Sequence, residues 1–426
     1  MTSDNIEADN LAEPKLKSKP VLKLVFDPGT SLSKILYVVD EGVVKWMTMG
    51  AEYLTLPSES AESLPVGSGM GKPEDNAWVR LSKKSECHAV GFVASNHRGT
   101  SSIKKLKHES LIFKILATVG AIAQTEKLGN NFELELGILL PYSEYLLSKD
   151  WLTELKVTLS SFYFQTQRFK IKLTRYSCKP EGYGIAKYSS ECSGASYFRE
   201  GNTAIIMLGY RNTSCLFFRR GSVSKPESGT ADLGFYTLLD KLIDKAPSLS
   251  RSDILKAIEN KFEESYGRVS SNQTYFNYQE LSSVIDFSFL VKANSVEARQ
   301  KKIDSLRNSY DISLKEYWTL LENWLSELLP RVGEIDGFVL AGGSSDLLKS
   351  RFRNYTISLG VKNFDNSASE ELKKYLLHSK DPRKERFMRE NLAKRFADAW
   401  GFFVSFAKYD LNLILDRNTG EVISNG

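Results

Sequence analysis

Two apolar runs in this chain each end in a glycine turn that carries hydroxyl side chains. Residues 21–26 lead into Asp27-Pro28-Gly29-Thr30-Ser31, and residues 204–208 lead into Gly209-Tyr210-Arg211-Asn212-Thr213-Ser214. A second apolar run follows each turn, which predicts two strand hairpins. Glycine and small hydroxyl residues let backbone N–H groups approach an anion closely, so two facing turns can hold one polyphosphate. The duplicated hairpin suggests a nucleotide held between two related domains.

A third segment adds a helix start to the two turns. Residues 337–341 are apolar and predict a buried strand, Gly342-Gly343 predicts a tight turn, and Ser344 is typical of a helix cap. The first turn of a helix presents unpaired N–H donors and partial positive charge to a ligand. We therefore expect this segment to lie beside the same nucleotide.

The order of these segments is similar to the actin/Hsp70/sugar-kinase superfamily, which carries two phosphate turns and then a Gly-Gly adenosine turn. Within it, the chain most resembles bacterial actin-like filament proteins of the plasmid-partitioning ParM/StbA type. The resemblance covers most of residues 21–405 and implies an α/β, actin-like fold with two related domains around a nucleotide cleft. The motifs that carry it are Asp27-Pro28-Gly29-Thr30-Ser31, Leu140-Pro141-Tyr142-Ser143-Glu144-Tyr145, Pro180-Glu181-Gly182-Tyr183-Gly184, Gly209-Tyr210-Arg211-Asn212-Thr213-Ser214, Ala341-Gly342-Gly343-Ser344-Ser345 and Arg395-Phe396-Ala397-Asp398-Ala399-Trp400-Gly401.

The resemblance implies ATP or GTP as the ligand, bound with Mg²⁺. Asp27 is assigned to the water shell of the Mg²⁺, since hard cations favour carboxylate and phosphate oxygens. A carboxylate that only stabilises its own turn is the alternative for Asp27. Lys34, in the same hairpin, reaches either a phosphate or solvent. The residues assigned to the nucleotide are Gly29, Thr30, Ser31, Lys34, Gly209, Tyr210, Arg211, Asn212, Thr213, Ser214, Gly342, Gly343 and Ser344.

Two positions bear on hydrolysis. Glu181 matches the Pro-Glu motif of the resembled family, which implies that it orients or deprotonates the attacking water; a turn glutamate without a catalytic role is the alternative. Met207 stands where the family places an aspartate, two residues before the second glycine turn. Methionine can neither position Mg²⁺ nor orient water. We therefore expect a slow ATPase, or a protein that binds nucleotide and hardly cleaves it.

Composition sets the class of protein. A chain of 426 residues favours two domains, and 42% hydrophobic with 26% charged residues is typical of a globular protein. The net charge of +5 is spread along the sequence and gives no indication of direct DNA binding. No run approaches the ~20 apolar residues of a membrane span, and the N-terminus lacks a secretion signal, so a cytoplasmic location is expected. The four cysteines show no metal-ligand spacing and are expected to be reduced.

We divide the chain into a disordered tail at residues 1–20, a first actin-like domain at 21–188, a second at 189–386, and a segment at 387–426 that returns to the first domain. Further strands are expected at 43–49, 132–140 and near 167–173. Helices are expected at 101–127, 182–195, near 234–244, 252–266 and 313–329, and within 387–409. Residues 57–75 are rich in Ser, Gly and Pro and are expected to form a surface loop. Their likeness to a Walker phosphate loop is only superficial.

The resulting hypothesis is a filament protein of a bacterial cytoskeletal or DNA-segregation system. Nucleotide bound between the domains would favour a closed form, and head-to-tail contacts between closed forms would propagate a homopolymer. The resemblance implies that a separate adaptor protein links such a filament to DNA or another cargo. Two alternatives stay open: a nucleotide-binding scaffold that does not polymerise, and a small-molecule kinase with Asp75 or Asp150 as its acid.

Overall fold

The computed structural model describes residues 19–67, 71–101, 110–148, 151–192, 195–257, 287–365, 367–368, 372 and 392–407. The strands are β1 (Val21–Pro28), β2 (Leu32–Val39), β3 (Lys45–Gly50), β4 (Glu52–Leu56), β5 (Trp78–Arg80), β6 (Cys87–Val90), β7 (Thr100–Ser101), β8 (Asn131–Leu140), β9 (Phe162–Phe164), β10 (Gln167–Pro180), β11 (Asn202–Leu208), β12 (Thr213–Arg219), β13 (Ser222–Val223), β14 (Gly229–Ala231), β15 (Gly337–Ala341) and β16 (Asn363–Asp365). The helices are α1 (Phe92–Asn96), α2 (Leu111–Glu126), α3 (Tyr142–Tyr145), α4 (Leu152–Ser160), α5 (Tyr183–Cys192), α6 (Ala195–Glu200), α7 (Phe235–Lys245), α8 (Phe287–Leu290), α9 (Val296–Leu328), α10 (Ser345–Ser358) and α11 (Leu392–Ala407).

The chain forms two sheets that share one strand order. In the first, β3, β2 and β1 are antiparallel neighbours, and β1 continues into the parallel strands β8 and β10. In the second, β13, β12 and β11 repeat that antiparallel order, and β11 continues into the parallel strands β15 and β16. The two predicted hairpins occupy the same place in each sheet. The duplication inferred from the turns therefore extends to five strands.

Apolar cores cover both sheets. One face of the first sheet packs on α2 and α4, and its other face packs on α11 through residues such as Leu36, Phe396 and Phe403. The second sheet packs on α7, α9 and α10 on one face. Its other face contacts α5 through Ile185, Ile205 and Leu216. Thus α5 leaves the first sheet towards the second, and α11 returns to the first.

Several helix boundaries differ from those expected. The helix expected at 313–329 begins at Val296, where Ser295 caps it, and spans 33 residues. Its first half is largely exposed and lacks the apolar period of the second half, so the sequence pattern did not indicate it. The helix expected at 182–195 ends at Cys192. α2 begins at Leu111, and residues 102–109 of the expected 101–127 helix lie outside the described residues. Residues 1–18 of the expected tail, residues 258–266 of the helix expected at 252–266, and the parts of the last expected helix outside 392–407 also lie outside the described residues.

The first sheet is larger than the sequence indicated. Strands β9, β5, β6, β4 and β7 extend it beyond β10, and β10 itself runs over 14 residues to Pro180. The surface loop expected at 57–75 contains a short 3₁₀ turn at Ser58–Glu62, and its Gly67 N–H donates to Gln165 Oε1 at 2.8 Å. Among the described residues, no helix is long and apolar enough to cross a membrane.

Candidate functional site

The glycine turns lie at the carboxyl ends of the parallel strands. In the first sheet, Gly29 follows β1, Tyr142 follows β8, and Glu181 follows β10. In the second sheet, Gly209 follows β11 and Gly342 follows β15. Open α/β sheets bind ligands at this edge, where strand order reverses. The two edges face each other, since Ser214 Oγ donates to Glu181 Oε2 at 2.9 Å and the Tyr142 N–H donates to Thr230 Oγ1 at 3.1 Å.

Gly29 and Gly209 are equivalent in geometry as well as in sequence. A Cβ on Gly29 would lie 2.3 Å from the carbonyl oxygen of Leu32, and one on Gly209 would lie 2.8 Å from that of Asn212. Each glycine thus lies close to the residue three positions later, where the return strand begins. We call residues 29–31 the first glycine turn and residues 209–212 the second glycine turn.

The second glycine turn is held by the start of α7. The N–H groups of Gly234, Phe235 and Tyr236 donate to the carbonyls of Arg211, Gly209 and Tyr210 at 2.9, 3.0 and 2.8 Å. These are N–H groups that a helix start leaves without intrahelical partners. The carbonyl groups of the turn therefore point at the start of α7.

The Gly-Gly turn, residues 342–344, is joined to the strand that precedes the second glycine turn. Ser344 precedes α10 as expected, but its side chain does not cap the helix; its Oγ donates to the carbonyl of Leu208 at 3.1 Å. A small pocket beside the turn is lined by Gly342, Ser345 and Lys394, among others. The start of α10 and the end of β11 thus form one unit.

Asp27 and Lys34, both proposed for the nucleotide site, bind each other. Lys34 Nζ lies 2.5 Å from Asp27 Oδ2, and the two side chains are 15% and 5% exposed. The other carboxylate oxygen, Oδ1, is buried without a hydrogen-bond partner among the described residues. Mg²⁺ in nucleotide sites is held through one or two carboxylates that its water shell can reach. Asp27 offers no such oxygen while Lys34 is in place, and Met207 supplies none, so the residues present do not fit the ion.

Glu181 is held by the second sheet. Ser214 Oγ donates to it, and Thr230 Oγ1 lies 3.3 Å from Ser214 Oγ, so a chain of polar groups runs from the Tyr142 N–H to the Glu181 carboxylate. Met207 pairs with Ser214 across the hairpin. The hydroxyl of Ser214 therefore serves Glu181 in this structure, whereas the sequence had assigned it to phosphate.

The other residues assigned to the nucleotide lie in or beside the turns. Thr30 and Asn212 are buried, and Ser31 is exposed. Thr213 Oγ1 donates to the carbonyl of Leu233 at 2.6 Å, which commits that hydroxyl to the protein. Arg211 Nε lies 3.4 Å from Asp232 Oδ1, and Tyr210 packs edge-on against Phe235 and Tyr236.

Helix α11 contacts the turn after β10, the first glycine turn and the Gly-Gly turn from five consecutive residues, 394–398. Asp398 Oδ2 and Oδ1 accept the N–H groups of Gly182 and Ile185 at 2.8 and 3.1 Å. Arg395 Nη2 donates to Ser31 Oγ at 2.8 Å, and its Cγ would lie 3.2 Å from a Cβ on Gly343. Lys394 bonds Asp346 at the start of α10. From the sequence we expected only that this segment returns to the first domain, because a single sequence contains no signal for contacts between residues more than 200 positions apart.

Asp398 is a buried carboxyl group close to two other acids. Burial raises the pKa of Asp398 to about 7, the N–H donors of Gly182 and Ile185 oppose that rise, and the negative charges of Asp27 and Glu181 add to it. Because the folded protein holds this proton more tightly than the unfolded chain, stability from this group falls as pH rises from about 4 to about 7.

Asp398→Asn should remove that pH dependence. We expect urea titrations to show that the variant becomes more stable relative to wild type as the pH rises from ~4 to ~7. Above pH ~7 the difference in unfolding free energy should stay constant. At the acid end wild-type Asp398 is protonated and, like the amide, has a single carbonyl acceptor, so the two proteins should differ least there. A difference that does not change with pH would show that Asp398 titrates as in the unfolded chain.

Within the described residues, no group of three His, Cys, Asp or Glu side chains is placed to hold a metal ion. Cys87, Cys178 and Cys215 are free thiols.

No protein-family model and no curated protein matches this sequence. Solved structures do match it. ParM of Bacillus thuringiensis with ADP aligns at a TM-score of 0.51 and 13% identity, over 91% of this chain and 99% of that chain. A non-polymerisable quadruple mutant of pCBH ParM aligns at a TM-score of 0.50 and 16% identity, over 92% of this chain and 100% of that chain. Together with two sheets of one strand order, these matches show that the chain has the actin-like fold of the ParM proteins.

Proposed function

We propose that the chain binds ATP or GTP between the two sheets and that the bound nucleotide controls its assembly into a filament. The observation that carries the proposal is the convergence of the first glycine turn, the second glycine turn and the Gly-Gly turn at facing sheet edges, linked through Ser31, Arg395 and Gly343. Glycine turns and a helix start at such an edge favour a phosphate ligand. The similar ParM of Bacillus thuringiensis, solved with ADP, supports this ligand class.

Coupling of nucleotide to assembly would follow from the two helices that connect the sheets, α5 and α11. A phosphate that contacts both glycine turns favours one arrangement of the sheets, and its loss favours another. We place the domains as in the sequence division, with residues 21–188 and 189–386 as the two halves and α11 returning to the first. We also propose a cytoplasmic filament that reaches DNA or another cargo through an adaptor protein.

Two measurements test this function. Calorimetric titration with ATP and GTP should show one site per chain, and high-speed sedimentation should pellet the protein with one nucleotide state more than with the other. If the chain binds nucleotide but stays in the supernatant in every state, it is a scaffold and the filament part fails. If neither nucleotide binds, the whole proposal fails.

Phosphate release should be slow because position 207 lacks a carboxylate. Met207→Asp would place an acid beside Gly182, whose Cα substituent would lie 3.6 Å from Met207 Cγ, and so next to Glu181. We expect phosphate release with Mg²⁺ to rise on the order of 100-fold, the low end of the contribution of a positioned acid or base. Met207→Leu, which keeps the site apolar, is the control. An unchanged or lower rate in Met207→Asp would show that the missing acid does not limit hydrolysis.

A further inference from the structure

The charges around the glycine turns differ from those of a site built for a magnesium–nucleotide complex. Such a site needs carboxylate oxygens that face the phosphates and can be reached by the water shell of the ion. The two positions at the ends of β1 and β11 that would supply them are Asp27 and Met207. Methionine offers no hard oxygen, so Asp27 would have to hold the ion alone.

The Asp27 carboxylate is already occupied by a cation of the protein. Lys34 lies directly opposite it in the β1–β2 register, and the two form the 2.5 Å ion pair described above. Both side chains are mostly buried, so a metal would have to displace a tethered, partly desolvated ammonium group rather than water. The remaining oxygen, Oδ1, is inaccessible to solvent and therefore to a hydrated ion.

The neighbouring acids are committed as well. Both oxygens of Asp398 accept backbone N–H groups, and Glu181 accepts the hydroxyl of Ser214. Each acid thus has a partner in the folded protein. A metal ion would have to compete with these partners for Asp398 and for Glu181 Oε2.

Positive charge, in contrast, lies where phosphate would bind. The guanidinium of Arg395 extends from beside Gly343 in the second sheet to Ser31 in the first glycine turn. Lys34 follows the same turn on β2. Arginine binds phosphate through paired N–H donors and lysine binds it as a point charge. These two cations sit on the first glycine turn and against the Gly-Gly turn.

We propose that this site binds the polyphosphate of a nucleoside di- or triphosphate without a divalent cation, with Lys34 and Arg395 supplying the counter-charge that the ion supplies elsewhere. The proposal rests on the proposed nucleotide site. It assigns Lys34 a second task, since its contact with Asp27 also closes that carboxylate to metal. Removing Lys34 should therefore create a dependence on Mg²⁺.

The test is calorimetric titration of the full chain with ADP and with ATP, in excess Mg²⁺ and in excess EDTA. Wild-type affinity should differ by less than about threefold between the two conditions, which is less than about 0.7 kcal/mol of binding free energy. Binding in Mg²⁺ but not in EDTA would overturn this inference and leave the nucleotide site standing. Binding in neither condition would overturn the nucleotide site itself.

Three variants separate the proposed role of Lys34 from the effect of removing any positive charge from this sheet. Lys34→Ala should lose about 10- to 100-fold in affinity in EDTA, the usual range for a charged hydrogen bond, and recover part of it in Mg²⁺. Lys45→Ala is the control, because Lys45 on β3 of the same sheet forms a 2.5 Å pair with Glu126 at the end of α2, away from the turns. Lys34→Arg keeps the charge and should keep the independence of Mg²⁺. Equal affinities of Lys34→Ala and wild type in EDTA would refute the assignment, provided circular dichroism shows both folded.

Discussion

Gly184→Ala should strongly destabilise the folded chain. A Cβ on Gly184 would lie 1.8 Å from the carbonyl oxygen of Asp398 and 2.7 Å from the N–H nitrogen of Phe402, and both are backbone atoms of α11. No rotamer change relieves a clash between backbones, so α5 and α11 would have to separate. We expect a loss of more than about 4 kcal/mol, out of the roughly 5–15 kcal/mol by which an ordinary domain is stable.

Urea unfolding followed by tryptophan fluorescence measures this loss, since Trp400 is buried in α11. Gly401→Ala should behave alike, because its Cβ would lie 2.1 Å from the carbonyl oxygen of Gly184. Gly229→Ala is the control: its nearest neighbour would be Leu328 Cδ1 at an ordinary 3.5 Å, and its stability should change by less than about 1 kcal/mol. A wild-type midpoint for Gly184→Ala would mean that the two helices do not cross this closely.

Alanine at the two glycines of the Gly-Gly turn should have different effects, on stability at Gly342 and on ligand binding at Gly343. Gly342 has a φ of +99°, and its Cβ would lie 2.4 Å from the carbonyl oxygen and 2.7 Å from the nitrogen of Leu208. Gly342→Ala should therefore detach α10 from β11 and cost about 3 kcal/mol or more. Gly343 instead approaches only the flexible side chain of Arg395, 3.2 Å away. Gly343→Ala should fold normally and push the guanidinium aside.

Stability and binding together distinguish the two effects. Gly343→Ala should unfold at nearly the wild-type urea concentration and bind ADP about tenfold more weakly, a change near 1.4 kcal/mol. Gly342→Ala should lose stability first and ADP binding with it. If both variants unfold alike, the turn does not have the backbone geometry described above. If Gly343→Ala binds ADP as wild type does, Arg395 is not a phosphate ligand.

The parts of the fold that the sequence predicted are those fixed by short-range patterns. Each hairpin and the Gly-Gly turn follow from an apolar run that ends in glycine, and the structure confirms their strands within three residues. The first half of α9 was missed, since an exposed helix shows no apolar period. The strands that extend the first sheet beyond β10 were missed because their neighbours are far apart in sequence.

The candidate site was predictable as a set of positions, but its contacts were not. Sequence placed Asp27, Lys34, Glu181 and Ser214 in one site, and hydrogen bonds in the structure join them in two pairs. Which polar group takes which partner depends on distances between sheets, to which a single sequence gives no access. For that reason the roles of these residues toward nucleotide stay predictions, while their partners in the protein are observed.

The position of α11 in the chain has a consequence for synthesis. This helix follows every other described element, yet it carries Arg395, which touches the first glycine turn, and Asp398, which fixes the backbone after Glu181. Sheets that emerge earlier from the ribosome can pack their own helices while the proposed polyphosphate site still lacks one side. A nascent chain can therefore fold both sheets before the proposed site is complete.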